Sequence, residues 1–153
     1  MGEEQVPKIT KEFLATVYVV QEDKVLLTWN KKVNGFVPVG GHVDEGELPQ
    51  ECAIREAKEE SGFDVEIISA RKMEHSNLPQ NLDIQVDIIK PDHHHINISF
   101  IGKIVGGEML SESDEQTALK WFSKEEIENN TQVFPNTREK CLLALDFIKN
   151  LNN

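Results

Sequence analysis

Three observations predict an α+β fold. Apolar, β-branched runs with the period of a strand recur along much of the chain. Two or three segments of helical period are set among them. The two kinds do not alternate strictly, as they would in a parallel α/β sheet. The first two runs, residues 13–20 and 24–29, flank the polar turn 21–23 and read as a hairpin. Residues 30–35 are then a loop. Pro49–Ser61 reads as a helix, because Pro49 suits a first turn and Gly62 a left-handed end. Residues 64–73 and 84–89 alternate, and 96–105 form the longest β-rich run, closed by a turn at Gly106 and Gly107. Residues 118–122 make a further strand. Ser123 caps a short helix, KEEIEN, and Thr137 caps a last amphipathic helix that offers Leu142, Leu145, Phe147 and Ile148 for burial.

A chain of 153 residues fits one domain, 1–153, around one core. Sixteen basic against twenty-seven acidic residues leave a net charge of −11, which disfavours attraction to a nucleic-acid polymer or an anionic membrane. A small anionic substrate would arrive with its cation. Cys52 and Cys141 match no metal or redox spacing, so a reducing cytoplasmic setting is expected. The start carries no secretion signal, and no apolar run approaches the ~20 residues of a membrane span. Self-association into a homodimer is compatible with all of this.

The most informative stretch is GHVDEGELPQECAIREAKEESGF, from Gly41 to Phe63. Gly41, Glu47, Arg55, Glu56, Glu59, Glu60 and Gly62 stand at fixed spacing, a pattern that chance produces about once in 10^8 starting points. At ~100° per residue, Glu56, Glu59 and Glu60 share an arc of roughly 100°, while Ala53, Ile54 and Ala57 form an adjacent apolar face. Like charges three and four residues apart repel, so a cation should offset them. Carboxylate oxygens suit Mg2+, which bridges one or two carboxylates to substrate phosphates. Three glutamates taken alone also read as a solvated acidic face relieved by Lys58; the surrounding spacing favours the cation.

This segment resembles the signature box of the Nudix hydrolases, the MutT-related superfamily. VLLTWNKKVNGFVPVGGHVDEGE before it and LKWFSKEEI after it resemble that family too, so the likeness covers most of residues 13–130. Val39 and Phe36 stand where relatives often have proline and tryptophan. The resemblance implies a mixed β-sheet sandwiched between helices. It implies Mg2+, with Mn2+ as a substitute, held by Glu56, Glu59, Glu60 and the Gly40 carbonyl. It also implies hydrolysis of a small-molecule nucleoside diphosphate derivative, with nucleoside triphosphates, oxidised ones included, ahead of nucleotide sugars such as ADP-ribose. A non-catalytic ligand-binding module of the same fold is the alternative. Glu47 and Arg55 are expected to form a structural pair. The general base is Glu56, Glu60 or a carboxylate on a later loop, for which Glu115 is preferred over Glu112 and Asp114.

His42, beside the box glycines, is placed for a phosphate contact or for a structural one, and Trp29 and Phe36, which flank the glycine loop, fit core packing first and stacking on a base second. His93, His94 and His95 sit just ahead of a predicted strand. Alternation sends His93 and His95 to one side and His94 to the other, so at most two can converge. The resemblance implies a histidine-bearing strand that closes the substrate cleft, and His95 is preferred for that contact over zinc ligation. Pro79, sixteen residues past Phe63, resembles the spacing of ADP-ribose hydrolases in this superfamily.

Overall fold

The structure is a computed structural model that describes residues 2, 5–6, 8–110 and 119–153. Strands β1 (Thr10–Gln21) and β2 (Lys24–Asn30) form the expected hairpin; Glu22 and Asp23 take φ of 49° and 60° at its tip, the handedness a two-residue hairpin turn requires. Then come β3 (Gly35–Val37), β4 (Val39–His42), helix α1 (Pro49–Ser61), β5 (Phe63–Ile68), β6 (Asp83–Lys90), β7 (His93–Gly107), β8 (Leu119–Ser123) and helices α2 (Lys124–Asn129) and α3 (Pro135–Leu151). The sheet runs β3-β2-β1-β7-β5, with β4 paired to β1, β6 to β7 and β8 to β2. β1 and β7 are parallel, whereas the other pairs are antiparallel, so the sheet is mixed.

Both faces are covered, which explains why four successive β1 residues, Val17 to Val20, are all buried. Ala15, Val17, Val19, Leu26 and Val39 pack under α1 against Ala53 and Ala57. Tyr18, Val20, Val25, Leu27 and Ile101 pack on the other face with Ile127 of α2 and Cys141 and Ala144 of α3. Cys52 lies in the first cluster and Cys141 in the second, on opposite sides of the sheet, and both thiols are free. Among the described residues no helix is long and apolar enough to cross a membrane.

Four local expectations are corrected. Ile54 is 39% exposed, and the buried face of α1 is built instead from Cys52, Ala53, Ala57 and Ser61, whose small side chains let the helix approach the sheet closely. Thr137 does not cap α3: Pro135, with φ already set for a first turn, starts the helix earlier behind Phe134, and Thr137 is buried within it. The strand predicted over 64–73 ends at Ile68, where its pairing with β7 stops at Ile101. The three histidines lie inside β7 rather than ahead of it, because β1 starts at Thr10 and supplies rungs for His93, His94 and His95.

Candidate active site

Helix α1 crosses β4 antiparallel to it, and residues one turn apart on the helix follow successive residues of the strand. Cys52 Sγ donates to the His42 carbonyl at 3.3 Å. Next along the helix, Glu56 lies against Gly41, where a Cβ would come within 2.5 Å of Glu56 Oε1. Glu60 Oε2 then accepts the Gly40 N–H at 3.4 Å. Steps of four residues rotate by only ~40°, so Cys52, Glu56 and Glu60 form one seam. The carboxylates therefore stand within the helix face that packs on the sheet, not on an adjacent face as the arc alone suggested. A Cβ at Gly41 would strike Glu56, whereas one at Gly40 would strike the Ala15 carbonyl and Thr16, so glycine at 41 makes room for the carboxylate and glycine at 40 lets β4 lie close on β1.

The β1–β4 ladder also orients the Gly40 backbone. Val43 N–H donates to the Phe13 carbonyl, and Gly40 pairs with Thr16, three rungs away in an antiparallel ladder. Hydrogen-bonded and non-bonded pairs alternate, so Gly40 falls in a non-bonded pair with its N–H and C=O both turned away from β1. The N–H meets Glu60, and the carbonyl faces the same side.

Arg55 organises the rest. Its Nε and Nη2 donate to the two oxygens of Glu47 at 2.7 and 3.1 Å, a bidentate fork, and Nη2 also reaches the His42 carbonyl at 3.1 Å. Nη1 donates to Glu56 at 2.9 Å and to Glu59 at 3.2 Å. Thus Arg55 ties the loop after β4 to two of the three carboxylates, a wider role than the Glu47 pair alone. Its hydrogen bonds hold the Glu47 carboxyl down at about 2. Burial, and next the charge of Glu56, push the Glu60 carboxyl up to about 7. Among the described residues no cationic side chain pairs with Glu60. A half-buried carboxylate without a countercharge, beside a second carboxylate and the Gly40 backbone, is an all-oxygen donor set suited to a hard divalent cation.

The structure brings Gly40, Glu56 and Glu60 together, with Glu59 at the solvent edge of the group, its side chain 57% exposed. It does not bring His42, His95, Trp29 or Phe36 to them. His42 turns to Glu12, accompanied by His95. Phe36 makes edge contacts with Trp29 and with Phe122, on the α3 side of the sheet, where it packs against the core. Glu115, with Glu112 and Asp114, lies outside the described residues. Two residues near these elements escaped the sequence reading. Glu12 was missed because β1 was started three residues too late, and Trp121 because the alternation of Leu119 and Trp121 toward α1 is visible only once β8 is paired with β2.

Comparison with known proteins agrees with this geometry. The NUDIX domain model matches residues 12–142. A Bacillus subtilis (strain 168) protein provisionally named as an 8-oxo-dGTP diphosphatase is 34% identical over 110 residues, 71% of this chain and 64% of that protein. The NAD-capped RNA hydrolase NudC of Pseudomonas aeruginosa (strain LESB58) is 28% identical over 127 residues, 80% of this chain but 39% of that one. The chain thus spans less than two-thirds of these curated relatives. The crystal structure of a NUDIX-family hydrolase from Clostridium perfringens superposes with a TM-score of 0.78 at 30% identity, covering 92% of this chain and 99% of that one. With the box residues gathered on α1 and β4 and the family model spanning most of its length, the chain belongs to the NUDIX family.

Proposed function

We propose that this protein is a Mg2+-dependent hydrolase that cleaves the diphosphate of a nucleoside diphosphate linked to a second group, in a reducing cytoplasmic setting. The observation that carries this reading is the seam of Glu56 and Glu60 against the Gly40–Gly41 backbone. Glu56, Glu59, Glu60 and the Gly40 carbonyl would hold Mg2+ or Mn2+, which when bound neutralises the diphosphate and makes a coordinated water more acidic. Arg55, fixed by Glu47, keeps Glu56 and Glu59 aimed. Glu56 or Glu60 accepts the proton of the attacking water, and a carboxylate among residues 111–118, Glu115 foremost, is the alternative acceptor. Nucleoside triphosphates, oxidised ones included, are the preferred substrates, in line with the name carried by the B. subtilis relative. A dinucleotide-type substrate is the second reading, favoured by the NudC relative and related to the nucleotide-sugar class. A ligand-sensing module that has lost catalysis is disfavoured, because it has no use for a half-buried, unpaired carboxylate that destabilises the metal-free fold.

Chromatographic detection of the mononucleotide and of the second product (pyrophosphate, a sugar phosphate or a second mononucleotide) across a panel of nucleoside triphosphates, nucleotide sugars and dinucleotides, with and without Mg2+, tests this. Mg2+-dependent turnover is expected, strongest on triphosphates. Turnover on no member, or equal turnover in the presence of a chelator, would overturn it.

A further inference from the structure

Outside the carboxylate seam, the ends of β1, β4 and β7 bring three histidines around one carboxylate. Glu12 and His95 are cross-strand partners, as are Thr10 and His93, and His42 projects from β4 beside them. Glu12 Oε2 lies 2.6 Å from His42 Nε2, 3.4 Å from His95 Nε2 and 3.7 Å from His93 Nε2, while the Nε2 atoms of His93 and His95 are 3.1 Å apart.

Two features of this group point to a metal ion rather than to an anion. Glu12 stands at its focus, so a substrate phosphate placed there would meet a carboxylate. The facing Nε2 atoms of His93 and His95 cannot both carry protons at 3.1 Å, so at least one lone pair points inward. The surroundings say which one. The Thr10 hydroxyl has one proton and two contacts, the Asp92 carbonyl at 3.0 Å and His93 Nδ1 at 2.8 Å, and the tautomer that satisfies both has the hydroxyl donating to the carbonyl and accepting from Nδ1–H. With its proton on Nδ1, His93 presents a bare Nε2 to Glu12 and His95, the orientation that outer hydrogen bonds impose on metal-binding histidines.

The dimensions agree. Glu12 Oε2, His93 Nε2 and His95 Nε2 form a triangle with sides of 3.1, 3.4 and 3.7 Å. Its corners lie ~2.0 Å from its centre, and zinc takes imidazole nitrogen at about 2.0–2.1 Å and carboxylate oxygen at about 2.0–2.2 Å. The side chains of Glu12, His93 and His95 are 47%, 25% and 20% exposed, so an ion has a route in and a coordination position open to solvent. We propose that Glu12, His93 and His95 form a second metal site, for a borderline first-row ion of the zinc class, distinct from the all-oxygen seam on α1. Two imidazoles and a carboxylate select such an ion over Mg2+. The ion cross-links β1 to β7, and His42 holds the Glu12 carboxylate in place through its Nε2–H.

The test is a titration of metal-free protein with Co2+ in the presence of excess Mg2+. In a four-coordinate nitrogen and oxygen site Co2+ absorbs strongly in the visible, whereas in an octahedral oxygen site it absorbs weakly. One equivalent of strongly absorbing Co2+ is expected, displaced by Zn2+, and retained in the Glu59→Gln/Glu60→Gln double variant. Replacing an outer partner of a metal ligand costs about 10–100-fold in affinity, so Thr10→Val should weaken binding by that factor, and Glu12→Gln and His93→Gln by more. Circular dichroism shows whether each variant is folded, and Thr10→Val, which removes no ligand, keeps the test decisive should Glu12→Gln unfold. Absence of the strong absorption, its loss in Glu59→Gln/Glu60→Gln, or its persistence in the folded Glu12, His93 and Thr10 variants would overturn the proposal.

Discussion

Glu60→Gln should stabilise the metal-free protein while impairing the enzyme. Glu60 ionises near 7 in the folded chain against 4.5 for an ordinary glutamate, first because it is buried and then because Glu56 repels its charge. A raised carboxyl contributes fully to stability below the unfolded value, and that contribution is lost as pH rises through the folded one. A shift of that size corresponds to about 3 kcal/mol at most, at about 1.4 kcal/mol per pH unit, and residual solvent screening brings the expectation to about 1–3 kcal/mol. Glutamine keeps the shape and still accepts the Gly40 N–H, but carries no charge. Thermal unfolding in a chelator at pH 8 should therefore show the variant melting higher, by about 2–4 °C per kcal/mol for a chain of this size. At pH 4.5 the two proteins should coincide. Excess Mg2+ should reverse the order at pH 8, because only the wild-type carboxylate gains from the ion. A Glu60→Gln variant no more stable than wild type at pH 8 without cation would refute the claim that this carboxylate is held in the fold for binding rather than for stability.

The Arg55 network should behave as one unit: Glu47→Ala and Arg55→Ala each lower stability, Arg55→Ala by more because it also frees Glu56 and Glu59, and the double variant in urea unfolding should lie close to Arg55→Ala instead of at the sum. The Glu47 carboxyl, held at about 2, adds stability that is present above 4.5 and fades as pH falls toward 2, so acid unfolding of Glu47→Gln should show a shallower pH dependence than wild type. Gly41→Ala should lower kcat by at least ~10^2 in a folded protein, since its Cβ would sit 2.5 Å from Glu56 Oε1 and displace a carboxylate that stabilises the transition state. Gly62→Ala should cost more than the ~1 kcal/mol of an ordinary left-handed cap, because at φ 84° its Cβ would also strike the Glu108 carbonyl; denaturant midpoints measure it.

What was legible in the sequence was local. The bounds of α1 follow from Pro49 and Gly62, those of α2 from the Ser123 capping box, and the β1–β2 hairpin from the polar turn between two strand-period runs. The box spacing singled out Glu56, Glu59, Glu60 and Arg55, which helix geometry relates to one another, while Glu47, ahead of the helix, was paired with Arg55 only through the family resemblance. What was not legible depends on pairing between distant segments. The parallel register of β1 on β7, which sets Glu12 beside His95, has no trace in either strand's own pattern. Periodicity put His93 and His95 on one face but not what would stand opposite them. Likewise an arc of carboxylates on a helical wheel does not reveal that two of them enter the packed seam; that follows from Gly40 and Gly41 lying directly beneath.

The most direct test of the central claim is the turnover of the Glu59→Gln/Glu60→Gln double variant on the best substrate of the panel, measured against wild type over a range of Mg2+ concentrations, with circular dichroism to confirm the fold. If the α1 carboxylates hold the catalytic cation, wild-type turnover rises with Mg2+ to saturation, and the folded double variant stays at least ~10^2 below it at every concentration. Wild-type turnover from the double variant would contradict the assignment of the reaction to this site.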